Sequence, residues 1–180
     1  MRYAIRLTTT ATLCAALTGA LALTAGPARA QGTPDDPTIV AIFDAANTWD
    51  METGELAATR GSTKAVRDFG AMLVNDHRSV RQQGRDLAKS LKVTPTPPKD
   101  FALATDHAAA MTKLRGLHGT AFDRAFLAHE VSFHKAVIDA MTGTLLPATQ
   151  NAQLKDLEQK VAPAFTAHMQ KAQSLLDTKA

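Results

Sequence analysis

The sequence predicts an all-α protein: an antiparallel four-helix bundle with a long crossover that carries a short extra helix. Three observations predict this fold. Apolar residues recur every three or four positions in four long segments, as they do in amphipathic helices. No segment alternates apolar and polar residues with the period of two that strands require. A proline-rich connector separates the second and third long segments while the other connections are short, which suits a bundle with one crossover.

The first thirty residues have the pattern of a secretory signal peptide. Arg2 and Arg6 precede an apolar run at 11–25, and the small-x-small triplet Ala28-Arg29-Ala30 follows it. We therefore expect residues 1–30 to be removed after Ala30. The remaining chain would be periplasmic or secreted.

Composition excludes several classes of function once the leader is set aside. Three arginines leave with the leader, so 17 Lys and Arg remain against 17 Asp and Glu, and a near-neutral chain gives no reason to expect nucleic-acid binding. Cys14 leaves too, which excludes disulfides, thiolate metal sites and a cysteine nucleophile. No later segment has the roughly 20 apolar residues of a membrane span. The sequence leaves protein partners and homo-oligomer formation open.

The first half of the predicted domain, which spans 38–180, contains two long helices. Residues 31–37 are polar and proline-rich, as in a disordered lead-in. The first helix is predicted over 38–59. Gly61 ends it, and Ser62 is the predicted N-cap of a second helix over 63–91.

The second half begins with the crossover. Three prolines in 92–100 exclude a continuous helix there, and 100–117 predicts a short, weakly amphipathic one. The third and fourth long helices are predicted over 120–142 and 150–177. Pro163 is expected to kink the last helix without ending it, because the apolar periodicity continues on both sides.

Each long helix interrupts its apolar stripe near its middle with a side chain that can bind metal. A buried carboxylate without a partner costs several kcal/mol, so such groups must be paired, hydrogen-bonded or metal-bound. Bundles assemble metal sites from one inward ligand or more per helix. The predicted metal ligands are Asp50, His77, Glu130, His134 and His168.

The residue types narrow the chemistry of this site. Histidine and carboxylate ligands without cysteine suit a transition-metal ion such as Fe, Zn, Cu, Mn or Ni. Asp76, beside His77, is predicted to orient a ligand from outside the coordination sphere. Di-iron carboxylate proteins use Glu-x-x-His, whereas this chain has Glu130-x-x-x-His134, so a standard ferroxidase centre is not supported.

Two other interpretations stay open. In the first, the inward histidines form a structural hydrogen-bond network in a non-catalytic envelope or stress-related binding protein. In the second, the chain is a metal-dependent oxidase or peroxide-handling enzyme, although no catalytic residue is predicted. Convergence of the five side chains would favour a metal site. His107, His118 and His129 lie off the stripes or on the crossover, so surface or capping roles are expected for them.

Four blocks of the chain resemble a bacterial exported family of unknown function, often labelled predicted outer membrane protein. They are NTWDMETGELA (47–57), VRDFGAMLVNDHRSV (66–80), GTAFDRAFLAHEVSFHKAV (119–137) and VAPAFTAHMQKAQSL (161–175). The resemblance implies a ferritin-like four-helix bundle. It also implies that Asp50, the Asp76-His77 pair, His134 and His168 occupy recurrent polar positions of the family. This chain carries Asp50 where glutamate is usual and Glu130 where glutamine is frequent.

Overall fold

All secondary structure that the computed structural model describes, over residues 32–99 and 101–178, is helical. Within these residues there is no strand, so the all-α prediction is confirmed. The predicted signal peptide lies outside the described residues. None of the helices in the described part of the chain is both long and apolar enough to cross a membrane. In chain order the helices are α1 (Asp36–Arg60), α2 (Lys64–Ser90), α3 (Ala102–Arg115), α4 (Gly119–Ala140), a π-helical turn (Met141–Leu145), α5 (Leu146–Ala148) and α6 (Ala152–Asp177).

Helix α1 begins earlier than its apolar pattern predicts. Asp35 is the N-cap, and its side chain accepts a hydrogen bond of 3.0 Å from the backbone N–H of Thr38. Asp36 and Pro37, predicted to belong to a disordered lead-in, therefore form the first turn. Proline is favoured there because the first helical N–H groups have no partner within the helix.

The start of α2 also differs from the prediction. Thr63, not Ser62, is the N-cap, and its hydroxyl accepts from the N–H of Val66. Ser62 instead donates from its backbone N–H and its hydroxyl to the carboxylate of Asp123 on α4, at 2.8 and 2.6 Å. The α1–α2 turn is thus tied to α4 by a long-range contact that local sequence does not reveal.

The connection after α4 is more helical than expected. The sequence predicts a loop over 143–150, but the chain passes through the π-helical turn into α5. Leu145 and Ala148 are buried against Ile39 and Val40 of α1, and this packing accompanies the continued winding. Pro163 lies within α6, which continues on both sides of it as the periodicity predicts.

Helices α1 and α2 pack antiparallel at very short range. Gly54 faces Gly70 near one end, and Phe43 faces Gly84 near the other. A Cβ atom built on Gly70 would lie 2.6 Å from the carbonyl oxygen of Gly54. Only glycine permits this approach. Helix α4 packs on α6, α2 also contacts α6, α1 contacts α4, and α3 touches α1 and α4.

Three apolar clusters divide the core along the helix axes, and their order gives the direction of each helix. The first cluster includes Ala57, Phe69, Phe126 and Ala172; the second includes Ile39, Ala88, Leu145 and Leu154; the third includes Phe43, Met141, Leu157, Val161 and Phe165. Helices α1 and α6 run from the second cluster towards the first. Helices α2 and α4 run the opposite way, so they share a direction, and α3 lies in the crossover between them. A polar layer separates the first cluster from the third.

Candidate metal centre

The five predicted ligands are all buried in this polar layer. Each is at most 4% exposed, although two are carboxylic acids and three are imidazoles: Asp50, His77, Glu130, His134 and His168. They come from the middles of α1, α2, α4 and α6, as the interrupted stripes predict. The layer also contains Asn47 and Thr53, which the sequence did not identify as part of the site.

His134 has one ring nitrogen engaged and one free. Its Nδ1 lies 3.0 Å from the backbone carbonyl oxygen of Glu130, one turn earlier on α4, so the Nδ1–H donates to that oxygen. The second nitrogen, Nε2, is buried without a hydrogen-bond partner. Because a neutral imidazole carries one N–H, the Nε2 of neutral His134 carries a lone pair.

Asn47 fixes the orientation of His77 in the same way. The Nδ2 of Asn47 donates to the carbonyl oxygen of Phe43 at 2.8 Å, which leaves Oδ1 facing the Nδ1 of His77 at 2.9 Å. His77 must therefore donate from Nδ1, and its Nε2 carries the lone pair. The ring of Phe165 stacks on His77 at 5.4 Å and forms an apolar wall.

His168 completes the set from α6. Its Nε2 lies 3.0 Å from the Oδ2 of Asp76, and since a carboxylate only accepts, His168 donates from Nε2. The remaining Nδ1 faces the Nε2 of His77 at 3.2 Å. Both of these nitrogens carry lone pairs when the rings are neutral, so they cannot hydrogen-bond each other without an additional proton.

The three histidines thus have the same hydrogen-bonding arrangement. Each donates to an oxygen that can only accept, which leaves one other ring nitrogen on each: Nε2 of His77 and Nδ1 of His168 face each other, and Nε2 of His134 is buried without a hydrogen-bond partner. His77, His134 and His168 each offer a ring nitrogen within 4.8 Å of the other two. Lone pairs converging in a buried volume repel one another unless a cation, either a proton or a metal ion, lies between them.

A second group of ligand atoms adjoins the first and shares His134. Oxygens of Asp50 and Glu130 lie within 4.8 Å of each other and of a His134 ring nitrogen, and Nδ1 of His134, which donates to the Glu130 carbonyl, lies 3.5 Å from Oε2 of Glu130 and 3.9 Å from Oδ1 of Asp50. The Oε1 of Glu130 accepts from the hydroxyl of Thr53 at 2.7 Å. The Oδ1 of Asp50 and the Oε2 of Glu130 are buried without a hydrogen-bond partner. Unsatisfied carboxylate oxygens are costly in a core, and an ion is one way to satisfy them.

Burial and charge shift the pKa values of the centre in opposite directions. Burial, helped by the other two rings, lowers the pKa of His77 to about 2. Burial also lowers the pKa of His168. Burial alone would lower the pKa of His134, but the charges of Asp50 and Glu130 outweigh it and raise that pKa to about 9. At neutral pH the protonated ring of the centre is therefore that of His134.

The pKa values of the two carboxyl groups also shift in opposite directions. Burial, together with the neighbouring Glu130 charge, raises the pKa of Asp50 well above its usual range. Burial would also raise the pKa of Glu130, but the proximity and charge of His134, whose Nδ1 lies 3.5 Å from Oε2, overcome it and lower that pKa. Glu130 is thus the carboxylate that His134 favours in its ionised form.

The remaining histidines have different surroundings, and the expectation for His107 is wrong. His107 is buried, stacks on Trp49 at 5.4 Å and faces the Oε2 of Glu52 at 2.8 Å. Docking of α3 on α1 buries it, and the weak amphipathicity of 100–117 gave no sign of that docking. His118 is exposed, as expected, and His129 is half-buried beside Phe133.

Comparison with known proteins gives a family without an assigned activity. A family model described as "Domain of unknown function (DUF4142)" matches residues 21–175, so the chain belongs to this family. Searches of curated proteins and of solved structures give no match to the chain.

Proposed function

We propose that this member of the DUF4142 family is an exported, ferritin-like helical bundle that binds a transition-metal ion in its core. His77, His134 and His168 are the nitrogen ligands, Asp50 and Glu130 supply carboxylate oxygens, and Asp76 orients His168. One observation carries the proposal: three buried imidazoles, each with one ring nitrogen that donates to no protein acceptor, offer ring nitrogens within 4.8 Å of one another.

The distances suit a metal ion. Two nitrogens bound to one tetrahedral Zn²⁺ at about 2.0–2.1 Å lie about 3.3 Å apart. The Nε2 of His77 and the Nδ1 of His168 are 3.2 Å apart. Imidazole with carboxylate accommodates Fe, Zn, Cu or Mn, so the ligand types leave all four as candidates.

The outer hydrogen bonds suit a metal site as well. Metal-binding histidines commonly donate their second N–H to a carboxylate, a carbonyl or water, which fixes the ring and makes the ligand nitrogen more basic. Asn47, the Glu130 carbonyl and Asp76 supply these acceptors. The carboxylates of Asp50 and Glu130 would offset the charge of a dication that is removed from water.

The helix directions support the ferritin-like bundle. Helices α1 and α2 are antiparallel, α4 and α6 run in opposite directions, and the long crossover joins α2 to α4, which share a direction. Ferritin-like folds have four helices with one long crossover. The N-terminal sequence pattern supports export to the periplasm or beyond the cell.

The same geometry also favours a second candidate, a structural network without metal. The raised pKa of His134 puts a proton where the ion would lie, and that proton would relieve the repulsion between the lone pairs. The two candidates differ in whether a metal ion displaces the proton.

Metal content decides between the candidates. The protein is loaded separately with Fe²⁺, Zn²⁺, Cu²⁺ and Mn²⁺, dialysed and analysed for bound metal. We expect about one ion per chain for at least one metal, and a loss of that ion in His77→Ala and His134→Ala. His118→Ala, an exposed histidine outside the centre, is the matched control and should bind as the wild type does. Less than about 0.1 ion per chain for all four metals would contradict the proposal.

A further inference from the structure

His168 lies at the boundary between the core and the solvent. From α6 its ring reaches two adjacent residues of α2: Nδ1 faces His77, and Nε2 donates to Asp76. Adjacent residues on a helix point about 100° apart. His77 is 1% exposed, whereas the side chain of Asp76 is 49% exposed. One imidazole thus connects a half-exposed carboxylate to the inner nitrogens.

The other two histidines have no such connection. His77 donates to Asn47, which is 1% exposed, and His134 donates to the backbone carbonyl of fully buried Glu130. Asp76 is therefore the only one of the three outer partners whose side chain faces solvent. His168 is also the most exposed of the three rings, at 4% against 1% for each of the others.

The charge of Asp76 is available to an approaching cation. Among the described residues its ion-pair partner is His168, and no lysine or arginine pairs with it. Three other surface carboxylates are paired with cationic side chains, namely Asp44 with Arg81 and Arg85, Asp68 with Lys64, and Asp139 with Lys135, whereas Asp86 resembles Asp76 in having no lysine or arginine partner in the described part of the chain.

We propose that Asp76 is the capture residue of the centre: a divalent metal ion is first drawn to its carboxylate and then passes along His168 to the inner nitrogens. This inference rests on the proposed metal binding and adds a route to it. It assigns Asp76 a role in the rate of uptake that is separate from its orientation of His168.

Substitution by asparagine separates the two roles. Asp76→Asn removes the charge but keeps an oxygen that can accept from the Nε2–H of His168. Zn²⁺ is the probe, because nitrogen and oxygen sites bind it more tightly than Fe²⁺ or Mn²⁺. Uptake is followed by stopped flow with a chromophoric zinc indicator, and zinc content is measured at equilibrium.

We expect uptake by Asp76→Asn to be about tenfold slower than by the wild type, since a charge at the mouth of a site raises the local cation concentration. At saturating zinc its content should still approach one ion per chain, although its affinity for zinc should be lower than that of the wild type because Asp76 also orients His168. Higher salt should slow the wild type and leave Asp76→Asn nearly unchanged. Asp86→Asn makes the same charge change at an exposed position of α2 that also accepts a hydrogen bond, and it should take up zinc at the wild-type rate. Asp76→Glu restores the charge and should recover the rate.

The outcomes separate the inference from the proposal beneath it. A wild-type rate in Asp76→Asn, or a slow rate in Asp76→Glu, would overturn the capture role while leaving metal binding intact. An equal slowing in Asp86→Asn would also overturn it, because the effect would then reflect net charge. A wild-type protein that binds no zinc at equilibrium would overturn the proposed function and the inference together.

Discussion

The tautomers of the three histidines in the candidate centre are set by the groups that accept their hydrogen bonds. Asn47 can present only its oxygen to His77, because its nitrogen already donates to Phe43. That one contact decides which nitrogen of His77 carries a lone pair. A carboxylate or a carbonyl does the same for His168 and His134. At the scale of single residues, the outer hydrogen bonds thus leave each of the three histidines with one ring nitrogen that donates to no protein acceptor.

Glu158 is a second buried carboxyl group and lies outside the centre. It is 1% exposed, and its Oε2 accepts from the hydroxyl of Thr149 at 2.8 Å, while Oε1 has no partner. Burial, aided by the charge of Asp36, raises the pKa of Glu158 above 4.5. The folded state therefore holds this proton more tightly than the unfolded state does. The associated stability is fully present below about pH 4.5 and is lost as the pH rises through the folded pKa.

We expect Glu158→Gln to stabilise the protein at pH 7 by about 1 kcal/mol, because a neutral amide replaces a buried charge. At pH 4, where Glu158 is protonated, the change should be close to zero. Urea unfolding of both proteins at the two pH values measures this difference. Glu55→Gln, at an exposed position of α1, should have little effect at either pH. An equal gain at both pH values would show that the charge of Glu158 is not the cause.

At the scale of the elements, the short approach of α1 to α2 positions the centre. Gly54 and Gly70 let the two backbones touch one residue beyond Thr53 and two turns before His77. Asn47 and Asp50 of α1 then come within reach of the His77 ring, at 2.9 and 3.6 Å. A wider separation of the helices would break the contact that orients His77.

Gly70→Ala tests this approach. The added Cβ would lie 2.6 Å from the Gly54 oxygen and 2.7 Å from the Ala58 nitrogen, so backbone must move. Overpacking of this kind costs about 1–3 kcal/mol, which exceeds the helix propensity that alanine gains over glycine. Thermal or urea unfolding should show the loss. At Gly143 nothing lies within 4 Å of an added Cβ, so Gly143→Ala should change stability by about 0.5 kcal/mol or less. Equal effects of the two substitutions would refute the packing argument.

The predictable elements are those whose contacts follow from one apolar stripe. The four long helices were predicted to within about two residues because their periodicity is strong. The crossover was harder to predict because the apolar periodicity of α3 is weak. The burial of His107 depends on where α3 docks on Trp49. The turn after α4 was missed because its winding accompanies packing against α1, at residues more than 100 positions earlier in the chain.

The burial of the candidate ligands was predictable to a similar degree. Five polar residues on apolar stripes had to be inward and near one level, and all five are buried in one layer. Their division into two groups that share His134 could not be predicted, since it depends on ring orientations. Asn47 was missed because an amide is a poor metal ligand, although its position one turn before Asp50 placed it on the same face.

At the scale of the whole molecule, the polar layer weakens the core unless a cation occupies it. It interrupts the apolar core between the first and third clusters with two carboxyl groups and three imidazoles. A ligand that binds only the folded state stabilises that state, by about 2.7 kcal/mol at a concentration 100 times its Kd. Metal binding at this layer should therefore join all four long helices and raise the stability of the entire bundle.

We expect saturating Zn²⁺ to raise the Tm of the protein by about 8 °C, since about 1 kcal/mol shifts the Tm of a domain of this size by about 2–4 °C. Differential scanning calorimetry with and without Zn²⁺ measures the shift, and a chelator should reverse it. His134→Ala removes the residue common to both ligand groups and should show almost no shift, while His118→Ala should shift as the wild type does. If Zn²⁺ does not change the Tm of the wild type, a proton alone would stabilise the polar layer. A full shift in His134→Ala would mean that zinc binds elsewhere on the chain.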